Sequence, residues 1–433
     1  MTAQRASASS APSVRIPNPE SQIPDSSLFG WWREADERAR NAFIAASFGW
    51  MLDSFDVMLY AMVIAALVED PTLHLSLATA GLLTSVTLLA AAAGGIAFGV
   101  IADRIGRKRA LMAAVLIYSV FTAACGLAQS ALQLAIIRVL LGLGFGGEWA
   151  TGAALVSESF PARHRGKALA FVQSSWAIGY GLAALVNLLV MPVWGWRGVF
   201  FVGVVPALFT VWIQRKIEEP KIWASAAPAE RGRVSAVFGP GIAPITIAII
   251  LMNSFCLFAW WGMNGWIPTY LRLAPAQGGI GLSSSTMSLF VIAMQVGMWF
   301  GYVSFGFIAD AIGRKRTYVL YLVAAGILLP AYGVMRLPLV LLLLGPFVAF
   351  FGTGYFSGLG AVVAELYPTT VRATAAGFCY NVGRIASAVA PYTVGSLATT
   401  RGFGVAFAIA GTAFMAAAAM WLWIPETHNR ELA

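Results

Sequence analysis

A segment of eleven residues occurs twice in closely matching form, GVIADRIGRKR at 99–109 and GFIADAIGRKR at 306–316, one step of 207 residues apart (306 minus 99). The same step carries Glu158 onto Glu365, Pro161 onto Pro368, Arg165 onto Arg372 and Gly195 onto Gly402. One register therefore holds over most of the chain. A duplication of this length, each copy large enough for several helices, constrains the fold to two like halves.

Composition decides the medium. The chain is 59% hydrophobic and 11% charged, whereas soluble domains carry about 25% charged residues. A membrane span needs about 20 mainly apolar residues. Apolar runs between charged or turn-rich breaks give twelve, near 41–67, 79–101, 109–128, 132–157, 167–190, 197–217, 242–271, 284–310, 315–334, 338–366, 373–397 and 403–425. The expected fold is an all-α membrane protein of twelve transmembrane helices in two pseudo-symmetric six-helix bundles. Its parts are a tail at 1–40, a first bundle at 41–217, a polar linker at 218–241, a second bundle at 242–425 and a short tail at 426–433. The tail to about residue 27 is expected to be disordered and not a cleavable signal peptide, with Trp31 and Trp32 anchoring the first span at the interface.

The net charge of +9 is a matter of topology. Of the 28 Lys and Arg residues, Arg197, Arg272, Arg336 and Arg401 fall in outer loops, Arg138 and Arg384 lie within spans, and the rest sit in segments that are cytoplasmic if the amino terminus is inside. The positive-inside rule then puts both termini in the cytoplasm of a multi-pass plasma membrane protein, in a bacterium the inner membrane, and removes nucleic acid as a partner. Cys125, Cys256 and Cys379 are isolated within spans, so neither a disulfide framework nor a metal spacing is visible, and no cofactor is expected. His74, His164 and His428 all lie outside the spans, and neither a phosphate-binding GK[ST] loop nor a nucleophile with a base is recognisable; an enzyme is not expected.

Six spans, a cytoplasmic linker and six more spans, with DRxGRKR between the second and third, resemble the major facilitator superfamily of secondary transporters, over residues 41–427. The resemblance implies alternating access, usually by a monomer. It also implies a cytoplasmic latch, formed here by Asp103, Arg107, Asp310 and Arg314, with gating charges Glu158, Arg165, Glu365 and Arg372 at the ends of the fourth and tenth spans. Ala311 replaces Arg104 in the second copy, which implies a weaker latch there. Within the superfamily, DSFD in the first span resembles organic-acid symporters, and VMPVWGWRGVFFVGVVPAL with IEEPKIW resembles sialate:proton symporters.

Charges shared by both copies suit common machinery, whereas unmatched charges suit chemistry that one half performs. Asp53, Asp56, Arg138, Glu148 and Arg384 are unmatched within spans. Each costs about 2.5–3.5 kcal/mol on insertion scales, so each is expected to border an aqueous cavity. Asp53, Asp56, Arg138 and Glu148 are the candidates for proton coupling. Asp56 and Arg138 reach similar depths, where a pair could either switch or fix helix register; Glu148 serves as a second proton site or bonds a neighbouring helix end. Arg384 is an anion clamp, since guanidinium grips carboxylate through two parallel bonds, or a counter-ion for Asp53 or Asp56. Asn381, Tyr380, Gln173, Trp176, Tyr180, Trp260, Trp261, Asn264, Gln295 and Tyr60 complete the expected cavity. The expected activity is uptake of a small organic anion with protons, a carboxylate such as sialate or a lactate-like acid; an aromatic-acid or sugar carrier, or an exporter, is the alternative.

Overall fold

The computed structural model describes residues 30–160, 162–216, 237–239, 242–367 and 372–427, and among these there is no β-strand. The expected disorder of the first residues, most of the linker and the last six residues lie outside it. The helices are α1 (Gly30–Glu34), α2 (Glu37–Glu69), α3 (Leu77–Ile105), α4 (Arg107–Cys125), α5 (Ala131–Ser159), α6 (Ala162–Val202) and α7 (Pro206–Lys216). They continue as α8 (Ala243–Asn264), α9 (Ile267–Arg272), α10 (Ser284–Ile312), α11 (Arg314–Val334), α12 (Pro338–Thr353), α13 (Leu359–Leu366), α14 (Arg372–Ser387), α15 (Ala390–Arg401) and α16 (Phe403–Met420). Every expected span is found as helix. The fifth and sixth share α6, which is redirected at Gly195, and the seventh, tenth and eleventh are each broken into pieces.

The duplication is written into the backbone. Ser76 and Ser283, 207 residues apart, cap α3 and α10 by accepting from the amides of Thr79 and Thr286, each at 3.1 Å. Gly106 (φ 100°) and Gly313 (φ 98°) separate the paired helices of the repeated motif, in a region open only to glycine. Gly195 (φ 61°) and Gly402 (φ 82°) break the chain at matching points.

Packing in lipid rests on close contact rather than on hydrophobic expulsion. Gly146 of α5 sits so close to the Ala91 carbonyl of α3 that a Cβ would collide with it, which fixes these two helices together. The apolar window of α2 is 78% buried, against 39–50% for the other long apolar helices, so α2 runs through the interior and carries Asp53 and Asp56 with it. At the end of the molecule distal to the chain termini, Asp70 accepts from the Thr72 amide and hydroxyl and from the Trp196 indole at 2.8 Å, while Arg197 stacks on the Trp196 ring. Partial burial alone would raise the Asp70 carboxyl; these hydrogen bonds and the Arg197 charge outweigh it and hold the group below its ordinary value.

The halves meet from mid-depth to that distal end. Asn187 of α6 donates to Ser284 and Ser288 of α10 at 3.1 and 2.9 Å, the Tyr180 hydroxyl donates to the Asn264 carbonyl at 2.7 Å, and the Tyr392 amide donates to Ser85 at 3.3 Å. Arg272 pairs with Glu69 at 3.2 Å.

Candidate functional site

At mid-depth, on the seam between the halves, lies a cavity lined by Trp50 of α2, Phe145 of α5, Gln173 and Trp176 of α6, Leu257, Trp260 and Trp261 of α8, Tyr302 of α10, Phe356, and Tyr380 and Arg384 of α14. Rings from the two halves touch across it, Trp176 meeting Trp260 edge-on at 5.4 Å, and within the first half Trp50 meets Trp176 at 4.7 Å. The Arg384 guanidinium lies 4.7 Å from the centre of the Phe145 ring of the other half. Arg384 is 4% exposed and makes no ion pair among the described residues. Tyr380 lies within electrostatic reach of both Arg384 and the fully buried Asp53. The indole N–H groups of Trp176 and Trp260 are buried without an acceptor among the described residues.

The space left is about 30 Å³, room for a water molecule and too little for an organic acid. Trp176 and Trp260 touch across this space, so an organic acid fits only when those rings part. A larger groove of about 410 Å³ between α10 and α12 is lined by Ala293, Val296, Gly297, Phe300, Pro346, Phe347 and Phe350. It has no polar side chain to orient a solute.

Of the residues expected at the cavity, Gln173, Trp176, Trp260, Trp261, Tyr380 and Arg384 line it. Others are turned elsewhere. The Asn264 side chain donates back to the Trp260 carbonyl, Asn381 donates to the Gly377 carbonyl, and Gln295 is buried against Gly181. Tyr180 is spent on the bond to Asn264, and Tyr60 lies in the interior of the first half. Trp50, Phe145, Leu257, Tyr302 and Phe356 were missed. Trp50 precedes Asp53 by three residues and so shares its helix face, a signal available in the sequence.

Within the first half, depth alone suggested an Asp56 to Arg138 ion pair, and the structure does not make it. Arg138 lies over the Tyr60 ring, its guanidinium carbon 3.6 Å from the ring centre, and its Nε donates to the Leu83 carbonyl at 3.4 Å. Asp56, 1% exposed, faces Thr122 and Cys125 of α4 without a hydrogen bond of normal geometry at either carboxylate oxygen. The reason is axial: Arg138 is seated on Tyr60, one turn of α2 beyond Asp56 on the same face.

The second copy of the repeated motif binds its own half. Arg314 pairs with Asp310 and, at 3.3 Å, with Glu365, while Glu426 accepts from the Arg314 and Lys315 amides at 2.9 and 3.1 Å and so caps α11. Asp310, Arg314 and Glu365 thus tie α10, α11 and α13 together, and Glu426 and Thr427, which donates its hydroxyl to Glu365, join the segment after α16 to them. The side chains of Asp103, Arg107, Glu148, Glu158, Arg165 and Arg372 lie outside the described residues.

Comparison with known proteins gives a match to the Major Facilitator Superfamily model over residues 46–279 and 273–433. A protein of Cupriavidus pinatubonensis described as a probable 4-methylmuconolactone transporter is 36% identical, over 93% of this chain and 94% of its own. The cis,cis-muconate transport protein of Acinetobacter baylyi is 31% identical over 86% of this chain and 91% of its own. The sialic acid transporter NanX of Escherichia coli is also 31% identical, over 89% and 94%. Among solved structures, the xylose transporter XylE of E. coli in a partially occluded inward open conformation aligns with a TM-score of 0.74 at 19% identity, covering 92% of this chain and all of that one. At that identity the likeness concerns the fold alone.

Proposed function

The chain belongs to the major facilitator superfamily of membrane transporters, and from that premise we propose that it takes up a small planar organic acid together with a proton by alternating exposure of the central cage. One observation carries the reading: Arg384 is buried among aromatic rings from both halves and makes no ion pair with a described carboxylate. Guanidinium stays charged when buried and gains most from a carboxylate that accepts two bonds at once. The surrounding rings offer faces on which a flat, conjugated skeleton stacks.

A polyhydroxylated acid such as sialate suits this lining less well. Besides Arg384, the described lining offers only Gln173, Tyr302, Tyr380 and the indole N–H groups as polar partners, and each substrate hydroxyl left unpaired on burial costs about 1–3 kcal/mol. The relative named for cis,cis-muconate supports the planar class, and those named for methylmuconolactone and for sialic acid support only the wider class of organic acids. Asp56, Asp53 and Glu148 are the groups proposed to carry the proton. The charge distribution supports cytoplasmic termini in a bacterial inner membrane, and the carrier is proposed to act as a monomer.

The test is binding and uptake of benzoate, nicotinate, cis,cis-muconate and N-acetylneuraminate by the reconstituted carrier. Planar acids are expected to bind and to accumulate under an inward proton gradient. Arg384→Ala should weaken the acid that binds by at least about thirtyfold, since removing one partner of a buried charge pair costs about 2–5 kcal/mol. Undiminished affinity in that variant would rule out the clamp.

A further inference from the structure

Tyr60 follows Asp56 by four residues on α2, and both are 1% exposed. They lie on one face, roughly 6 Å apart along the axis at about 1.5 Å per residue. The Tyr60 ring is fixed, because its hydroxyl donates to the Ala80 carbonyl of α3 at 3.0 Å. Arg138 rests on that ring at 3.6 Å and donates to Leu83, also of α3. Asp56 waits one turn away, against Thr122 and Cys125. The two helices that supply the arginine and its carbonyl are locked together, as Gly142 abuts the Thr87 carbonyl and Gly146 the Ala91 carbonyl. The long Arg138 side chain can change seat while that pair stays fixed.

Two seats of different kind thus lie within one helical turn: an aromatic face, attractive to a cation through its quadrupole, and a carboxylate. We propose that Tyr60 is the seat that holds the Arg138 guanidinium off Asp56 during part of the transport cycle, and so decides when Asp56 keeps its proton. The inference rests on the reading of Asp56 as a coupling group. When Arg138 leaves the ring for Asp56, the carboxyl O–H bond breaks, the proton passes to solvent in the conformation that wets Asp56, and the carboxylate takes the guanidinium as its partner. Return of Arg138 to the ring reverses the step. Arg138 remains protonated throughout, and no other reactant is needed. The ionisable neighbours that bear on the pair are Asp53 and Tyr60 on α2, Cys125 on α4 and Arg138 on α5; the facing turns of α3 present carbonyls, and Tyr180 of α6 is turned to Asn264.

The experiment titrates the buried carboxyl by infrared spectroscopy in the full-length carrier reconstituted in liposomes, with the proton as the only probe. The Asp56 band is the one lost in Asp56→Asn. Tyr60→Leu and Tyr60→Met remove the ring, so Arg138 settles on Asp56 and stabilises its ionised form; the midpoint should move to lower pH by about one unit, a tenfold weaker hold on the proton. Tyr60→Phe keeps the ring and should titrate with the wild type. A midpoint unmoved in the folded Leu or Met variant, or moved as far in the Phe variant, overturns the role of Tyr60 while leaving the coupling reading intact. Absence of any titrating band that Asp56→Asn removes overturns the coupling reading itself, and the inference with it.

Discussion

Arg138 and Arg384 carry the same charge in the same medium, yet the fold gives them opposite situations. Arg138 is enclosed within one half, satisfied by a ring and a carbonyl, whereas Arg384 stands on the seam where a solute can reach it. Both were legible in the sequence as charges that lipid should exclude. Their partners were not, because a side chain's angle around its helix depends on neighbours that are distant in the chain. The same gap explains Tyr60, read as a cavity residue and found beneath Arg138. Asp56→Asn belongs to this scale. It should preserve counterflow exchange of the bound acid, which needs no net proton movement, and abolish accumulation driven by a pH gradient; accumulation equal to wild type would remove Asp56 from the coupling path.

At the scale of elements, the repeated motif separates two jobs that its glycines share in the sequence. Gly313 stands at φ 98° between α10 and α11, and a Cβ there would meet a Glu426 carboxylate oxygen at 2.7 Å. Gly306, seven residues earlier, has nothing within 4 Å of a Cβ position among the described residues. Gly313→Ala should therefore destabilise the purified carrier by about 1–3 kcal/mol through backbone strain, while Gly306→Ala, inside a helix, should be neutral or stabilising by up to about 1 kcal/mol. Thermal unfolding in detergent compares them, and equal losses would contradict this division. Helix positions and caps followed from local sequence, since apolar runs, serine caps and glycine stops act over a few residues. The break in the seventh span followed likewise from Pro268 in GWIPTYL; those inside the tenth and eleventh spans did not, because the packing that rewards a broken helix comes from other helices.

Over the whole molecule, the described contacts between halves run from mid-depth to the end distal to Gly30 and Thr427, and rings of the two halves touch at the central cavity. Asn187, which donates to Ser284 and Ser288 across the seam, is a polar fastening buried where little else is polar. Asn187→Ala should shift the balance toward distal opening by about 1–3 kcal/mol, roughly 5- to 150-fold. A cysteine at Gly181, which faces Gln295 in the closed seam, reports this by its rate of thiol labelling against a background of buried native cysteines; an unaltered rate would mean the fastening does not hold the halves. The sequence alone determined the medium, the number of spans, the duplication and which charges needed a wet or polar setting, because transfer from water to lipid and the period of a repeat are local or additive along the chain. Only tertiary structure decided that six aromatic-bearing elements converge around Arg384, that Arg138 sits on Tyr60 rather than Asp56, and that the charges of the second motif copy pair within their own half. Those outcomes depend on the rotation and lateral order of helices, which are set by close packing among many elements at once.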